Sequence, residues 1–346
     1  MVHRGDSCTA TVDQSVVHTV RFDGVGPAEA SHDGRVTVPQ LVLAHPDPAV
    51  ARRQQRELRS GALLRVAHGV FVARAQWDTA TEWERHIVRA AAVQRRSPRG
   101  IVSHASAVIV HRLPWVLPAP DRVTLLDPAR TTAQRTRFAD KLAGAGRRPD
   151  VVSVDGIDVT GLATTAVDVA LRYDRGRALM VADGFLRRGG AQDALETEAA
   201  TRTNVRASRR LREVLSLASP LSESAGESVT QLAMHDLGLP RPVQQHSFDD
   251  ASGTIGRVDF WFPDQGVIVE FDGLAKYRDP SLRGGRSPEE VVVDEKRRED
   301  RLRALAEVRH VVRPIWRDVL PGGGLPLMLA VTGLPVRRGV TATLPW

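Results

Sequence analysis

The sequence predicts an α+β protein of several domains. Three observations carry that prediction. The chain has 346 residues, which at about 100–200 residues per domain makes two or three units. Its formal charge of +7 is unevenly placed along the chain. And its apolar spacing switches repeatedly between helical and alternating periods.

Charge and turn-rich stretches together set the boundaries. Residues 1–34 carry 2 basic and 5 acidic side chains and show no clear period, so a flexible tail is expected. Residues 35–113 carry 13 basic and 5 acidic, residues 114–220 carry 17 and 13, and residues 221–346 carry 16 and 18. A basic front, a mixed α/β connecting domain and an acid-rich back are therefore expected to have separate tasks. With 42% hydrophobic and 26% charged residues, the composition excludes wholesale disorder and a fibrous fold. No window approaches about 18 consecutive apolar residues, so no membrane partner is expected. Met1 to Thr11 has no apolar run and does not read as a secretory leader. The single Cys8 can make neither an internal disulfide nor a cysteine zinc site, which fits a reducing cytoplasm.

In the basic front, Val36 to Ala44 reads as a short helix. Pro48 then suits the first turn of a second helix, Ala49 to Ser60, which Gly61 stops. Val50 and Leu58 mark its inner side, and Arg52, Arg53, Arg56 and Arg59 its basic outer side. Leu63 to Val72 follows as two β-rich runs around a glycine turn. Helix, basic helix, then hairpin is the order of a winged helix-turn-helix, whose second helix enters the major groove of double-stranded DNA. The wing would place Arg65 or His68 on phosphates. The competing reading is a small subdomain with a solvated arginine face. On Arg59-Ser-Gly-Ala-Leu-Leu-Arg-Val66 running into Gly69-Val70-Phe71, this stretch resembles the N-terminal winged-helix domain of AbiEi-type antitoxins. That resemblance covers about a fifth of the chain and implies a toxin–antitoxin setting, with a cognate toxin or a second copy of the chain as protein partner.

The middle is expected to be scaffold. Thr81 to Gln94 is amphipathic, and Ser103 caps a helix through His111. His104 and His111 share a helical face, and without a third ligand nearby they read as packing or capping residues. Val151 to Val159 alternates around the hairpin signal Asp155-Gly156, and Thr164 to Leu186 reads as one helix.

The back reads as helix (Ser222 to Gly238) and three strands (Val243 to Phe248, Arg257 to Phe262, Val267 to Asp272). A helix opened by the capping box Ser287-Pro-Glu-Glu290 and a strand from Arg309 to Trp316 complete it. Pro263 to Gly266 is a four-residue turn, so Phe262 should face Val267 and, counting outward, Asp259 should face Glu270. Opposed carboxylates about 4.5–5.5 Å apart at Cβ repel unless a cation or a proton is shared. Asp272 points to the same face as Glu270. Hard oxygen ligands of this kind suit Mg²⁺ or Mn²⁺. The bland alternatives are an ion pair of Arg257 with Asp272 and a capping box of Glu227 with Ser224.

On Glu227, Asp259 in Arg-Val-Asp-Phe-Trp-Phe-Pro, and Glu270 in Val-Ile-Val-Glu-Phe-Asp-Gly, the back resembles the PD-(D/E)XK nuclease superfamily. The late helix Asp294-Glu-Lys-Arg-Arg-Glu-Asp-Arg-Leu302 and the strand Val311-Val-Arg-Pro-Ile-Trp316 also match. The style is that of very-short-patch-repair-like domains, and about a third of the chain is covered. The resemblance implies a restriction-endonuclease-like core in which Glu227, Asp259 and Glu270, with Asp272 assisting, hold Mg²⁺ for phosphodiester hydrolysis. Asp272 stands where that superfamily has a lysine. Of only three lysines in the chain, Lys276 and Lys296 lie beside this site and are candidates for the missing catalytic ammonium. The expectation is a Mg²⁺-dependent endonuclease held on DNA by its basic front, in prokaryotic defence. The alternatives are a non-enzymatic, antitoxin-like regulator with a degenerate nuclease fold, and a purely structural acid cluster.

Overall fold

A computed structural model of the chain describes residues 17–18, 39–116, 118–202, 205–273 and 287–337. Its first sheet is built from β1 (Val17–His18), β2 (Leu41–Leu43), β3 (Leu63–Ala67) and β4 (Val70–Ala73), in the order β1-β2-β4-β3. Helix α1 (Pro48–Ser60) lies between β2 and β3 in sequence. Pro48 opens it, and the Asp47 carboxylate accepts from the Ala49 and Val50 amides at 2.8 and 3.1 Å. Gly61 closes it in the left-handed conformation at φ 79°.

The expected helix over Val36 to Ala44 is corrected here. Leu41 to Leu43 is a strand, pairing Val42 with Phe71 and Leu43 with Val70. Pairing with β4 on one side and β1 on the other, with Leu41 buried in the core, outweighs a weak helical preference. The described front is thus strand, helix, hairpin, with no helix ahead of α1 among the described residues.

A second sheet has the order β7-β8-β6-β5-β10-β9. Its strands are β5 (Ile101–Val102), β6 (Val123–Asp127), β7 (Gln134–Arg135), β8 (Ala139–Ala143), β9 (Val151–Val154) and β10 (Ile157–Thr160). Helices α2 (Arg74–Thr79), α3 (Glu82–Arg95) and α4 (His104–Val110) accompany them. Asp155 and Gly156, both at positive φ, make the β9–β10 turn. Val66 and Val70 of the first sheet share one core with Val88, Val102, Leu125 and Val159, so the sheet and its core draw on residues from both sides of position 113.

The segment expected as one helix from Thr164 to Leu186 is two, α5 (Leu162–Arg172) and α6 (Arg175–Arg187). Tyr173 is extended, and Asp174 starts α6 by accepting the Arg177 amide at 2.9 Å. Helices α7 (Gln192–Ala200), α8 (Val205–Leu217) and α9 (Ala225–Asp236) follow.

The last sheet, β11-β12-β13-β14, comprises Val243–Asp250, Gly253–Phe262, Val267–Val269 and His310–Val312. With α9 before it and α10 (Pro288–Arg303) between β13 and β14, the element order among the described residues is α-β-β-β-α-β, as expected. Helices α11 (Trp316–Val319) and α12 (Leu325–Ala330) end the described chain. Strand β13 stops at Val269 rather than Asp272, and β14 at Val312 rather than Trp316, where Pro314 has no amide to donate. One face of this sheet (Phe260, Val269) joins Val181 of α6, Leu195 of α7, Val229 of α9 and Leu325 of α12 in a single core. Trp261, Ile268 and Leu302 pack on its other face. No helix among the described residues is long and apolar enough to cross a membrane.

Candidate nucleic-acid interface and acidic site

The period of α1 sends Val50 and Leu58 toward β3 and leaves Arg52, Arg53, Arg56 and Arg59 exposed. Arg53 pairs with Glu57 at 3.0 Å. Arg52, Arg56 and Arg59 form no ion pair with any described residue. In the hairpin, Arg65 and His68 are exposed, and the Arg65 guanidinium lies 5.7 Å from the Phe71 ring centre. One helix and its adjoining hairpin therefore present a cationic surface with little local neutralisation.

The predicted acids lie toward one end of the last sheet. The β12–β13 register pairs Phe262 with Val267, Trp261 with Ile268 and Phe260 with Val269, as the four-residue turn dictates. Asp259 and Glu270 are the next positions outward. Backbone pairing stops there, because the Asp259 carboxylate accepts the Phe271 amide at 2.8 Å and pins the chain as it leaves β13. Phe271 lies on α9 at Gly226, where a Cβ would fall inside its ring. That close approach brings Glu227 to the same end of the sheet.

Glu227 is buried, and burial raises its pKa despite hydrogen bonds from the Glu223 amide and Ser224 Oγ. The Glu223 amide reaches Oε2 at 2.8 Å, Ser224 Oγ reaches Oε1 at 2.9 Å and Gln245 Nε2 reaches Oε2 at 2.9 Å. Gln245 sits at positive φ on β11, between Gln244 and His246, whose partners Phe260 and Val258 flank Asp259. The Asp272 amide donates to Pro314 O at 2.9 Å, which holds that residue beside β14.

Two arginines that the sequence did not single out complete this site. Arg298, on α10, straddles Glu270, with Nη2 to Oε1 at 2.7 Å and Nη1 to Oε2 at 3.3 Å. Arg313, just after β14, donates from Nη2 to Oε2 at 3.1 Å and also pairs with Glu295 and Glu299. Burial works to lower the Arg313 pKa, but Glu270, Glu295 and Glu299 outweigh it and raise it. Arg257, whose pairing with Asp272 is the bland alternative, pairs with Glu223.

These surroundings do not fit a divalent ion as arranged. Each of Glu227, Asp259 and Glu270 already accepts from protein donors, and Glu270 holds two guanidiniums. Among the described residues, the single group of three ligand atoms within 4.8 Å of one another is Glu213, His235 and Asp236. The sequence reading missed it because Glu213 lies 22 positions before His235 on a different helix. Arg175 already occupies it, at 2.6 Å from Glu213 and 2.8 Å from Asp236, so it is an ion-pair network between helices. Lys276 lies outside the described residues, and Lys296 is exposed on α10.

His104 and His111 are both buried. His111 bonds Thr160 O at 2.7 Å, and His104 lies 3.1 Å from Ser103 Oγ. Ser103 holds the N-cap position of α4, but its side chain makes no capping hydrogen bond.

No family model matches the chain. It is similar to two Mycobacterium tuberculosis proteins, the uncharacterized protein MT2308 of strain CDC 1551 and the uncharacterized protein Rv2248 of strain H37Rv. Each is 34% identical over 173 residues, covering 46% of this chain. The chain spans 64% of the length of each of these relatives.

Proposed function

We propose that the chain is a cytoplasmic DNA-binding protein whose last module keeps a nuclease-like element order without working as a metal nuclease. It would act as a non-enzymatic regulator of the antitoxin type. The observation that carries this reading is the run of exposed guanidiniums on α1, continued by Arg65 on the β3–β4 hairpin. A helix flanked by a hairpin and bearing Arg52, Arg56 and Arg59 offers phosphates several unneutralised partners. Counterion release would then supply most of the affinity and make it salt-dependent. Among the described residues a strand, β2, precedes α1, and docking would rest on α1 and the β3–β4 hairpin. A cognate toxin or a second copy of the chain would complete the regulator.

A second reading, the Mg²⁺-dependent endonuclease, is favoured by one observation: Glu227, Asp259 and Glu270 gather at one end of the last sheet. In that reading they and Asp272 are the ligands, and Lys296 or Lys276 stands near the scissile phosphate. The state of Glu270, held by Arg298 and Arg313, favours the first reading.

Fluorescence anisotropy with a labelled duplex tests binding, and plasmid nicking in Mg²⁺ tests hydrolysis. The expected result is salt-sensitive binding and no nicking above that of Asp259→Ala and Glu270→Ala. Nicking by the unmodified chain that both variants lose would establish the nuclease instead. Absence of binding at low salt would reduce the α1 arginines to a solvated face.

A further inference from the structure

A carboxylate has about four lone-pair sites, and a hard cation needs some of them turned toward a shared point. Glu270 gives three to guanidinium donors: two to Arg298 at 2.7 and 3.3 Å and one to Arg313 at 3.1 Å. Both arginines have a built seat. Arg298 Nη2 also donates to Arg257 O at 2.6 Å across the edge of β12. The strand makes room for it at Gly256, which has φ 140° and where a Cβ would lie 2.9 Å from Arg298 Nε. Any other residue at 256 would be strained and would push that guanidinium aside. Arg313 is braced from α10 by Glu295 at 2.9 Å and Glu299 at 3.4 Å. The cations thus arrive from two different elements, and neighbours hold both in place.

A divalent ion entering here would meet two fixed positive charges beside its ligand, in a part-buried setting where like charges repel more strongly than in water. We infer that Arg298 and Arg313 are the resident cations of the acidic site, and that this chain uses them in place of a divalent metal. The inference rests on the nuclease-like reading of the last module. It is independent of DNA binding, so its test contains no DNA and the two can fail separately.

The test is Mn²⁺ titration of the full chain, read by electron paramagnetic resonance of free Mn²⁺. The unmodified chain is expected to show no saturable site up to about millimolar Mn²⁺, the range of weak oxygen-ligand sites. Arg298→Met combined with Arg313→Met removes both charges while keeping side-chain length. It is expected to gain one site, at least about tenfold tighter than any residual binding, through Glu270 oxygens released from their pairs. Adding Glu270→Gln to the double variant should remove that site. One equivalent of Mn²⁺ bound by the unmodified chain and lost in Glu270→Gln overturns the inference whatever the variants do. A double variant with native circular dichroism that binds no Mn²⁺ overturns it as well. If the double variant does not fold, Arg298→Met alone is read by the same two criteria.

Discussion

The arginines of α1 and those around Glu270 are the same residue put to opposite uses. On α1, Arg52, Arg56 and Arg59 stand exposed with no ion pair among the described residues. Around β13, Arg298 and Arg313 are part-buried, with side chains 26% and 21% exposed; they share Glu270, and Arg313 also pairs with Glu295 and Glu299. A basic side chain is available to a polyanion only where the protein has not already neutralised it. The net charge of a segment therefore says less than where its acids lie.

The comparison breaks if the two groups respond alike. Arg52→Glu, Arg56→Glu and Arg59→Glu together should weaken duplex binding by about 100-fold at moderate salt and flatten its salt dependence. Arg298→Met should leave the same anisotropy titration within about twofold. Equal losses would mean that the acid-paired arginines also face DNA.

Stability should sort the other way. Glu270→Ala leaves two guanidiniums facing each other without their carboxylate, at a cost of about 2 kcal/mol in chemical denaturation. Arg56→Ala should cost less than about 0.5 kcal/mol, as surface substitutions do. An Arg56→Ala loss as large as that of Glu270→Ala would place α1 in the fold's support and not on its binding face.

A smaller effect separates a third kind of charge, a carboxylate with no cation hydrogen-bonded to it. Asp183 of α6 is buried, and burial raises its pKa to about 7, against hydrogen bonds from Ser228 Oγ at 2.6 Å and the Ser219 amide at 2.8 Å. A pKa raised above the unfolded value means that stability is fully present at low pH and is lost as pH rises through about 7. Between about pH 4 and 7 the protein should lose stability steadily as pH rises, and Asp183→Asn should abolish that slope. An unchanged slope in the variant would assign the titration elsewhere. On the acid side, burial lowers the pKa of His86, which lies in α3 at 2.9 Å from both Pro120 O and Ser106 Oγ, to about 4, so its contribution is present above the usual value of 6.5 and is lost as pH falls toward 4.

Local chemistry made much of the fold readable in the sequence. The capping box at Ser287, the Asp155-Gly156 turn and the register around Pro263 to Gly266 are set by a few adjacent residues. Leu41 to Leu43 was not readable as a strand, because the partner that makes it one, β4, lies about 30 positions on. The break at Tyr173-Asp174 hid inside an apolar period that runs through both helices. For the acidic site, turn register set Asp259 opposite Glu270, and only the nuclease resemblance added Glu227 to them. Arg298 and Arg313 were not readable, since nothing local distinguishes two arginines among 45, and only the packing of α10 against the sheet does so.

The single apolar core running from α6 and α7 through α9 into β12 and β13 has a mechanical consequence. Position 220 is a bend in the chain without being a seam in the protein. Helices α5 to α8 and the last sheet should melt as one cooperative block, and severing the chain there would expose the inner face of both halves to water. A ligand arriving at the sheet would then pull on a body that reaches back into the connecting helices.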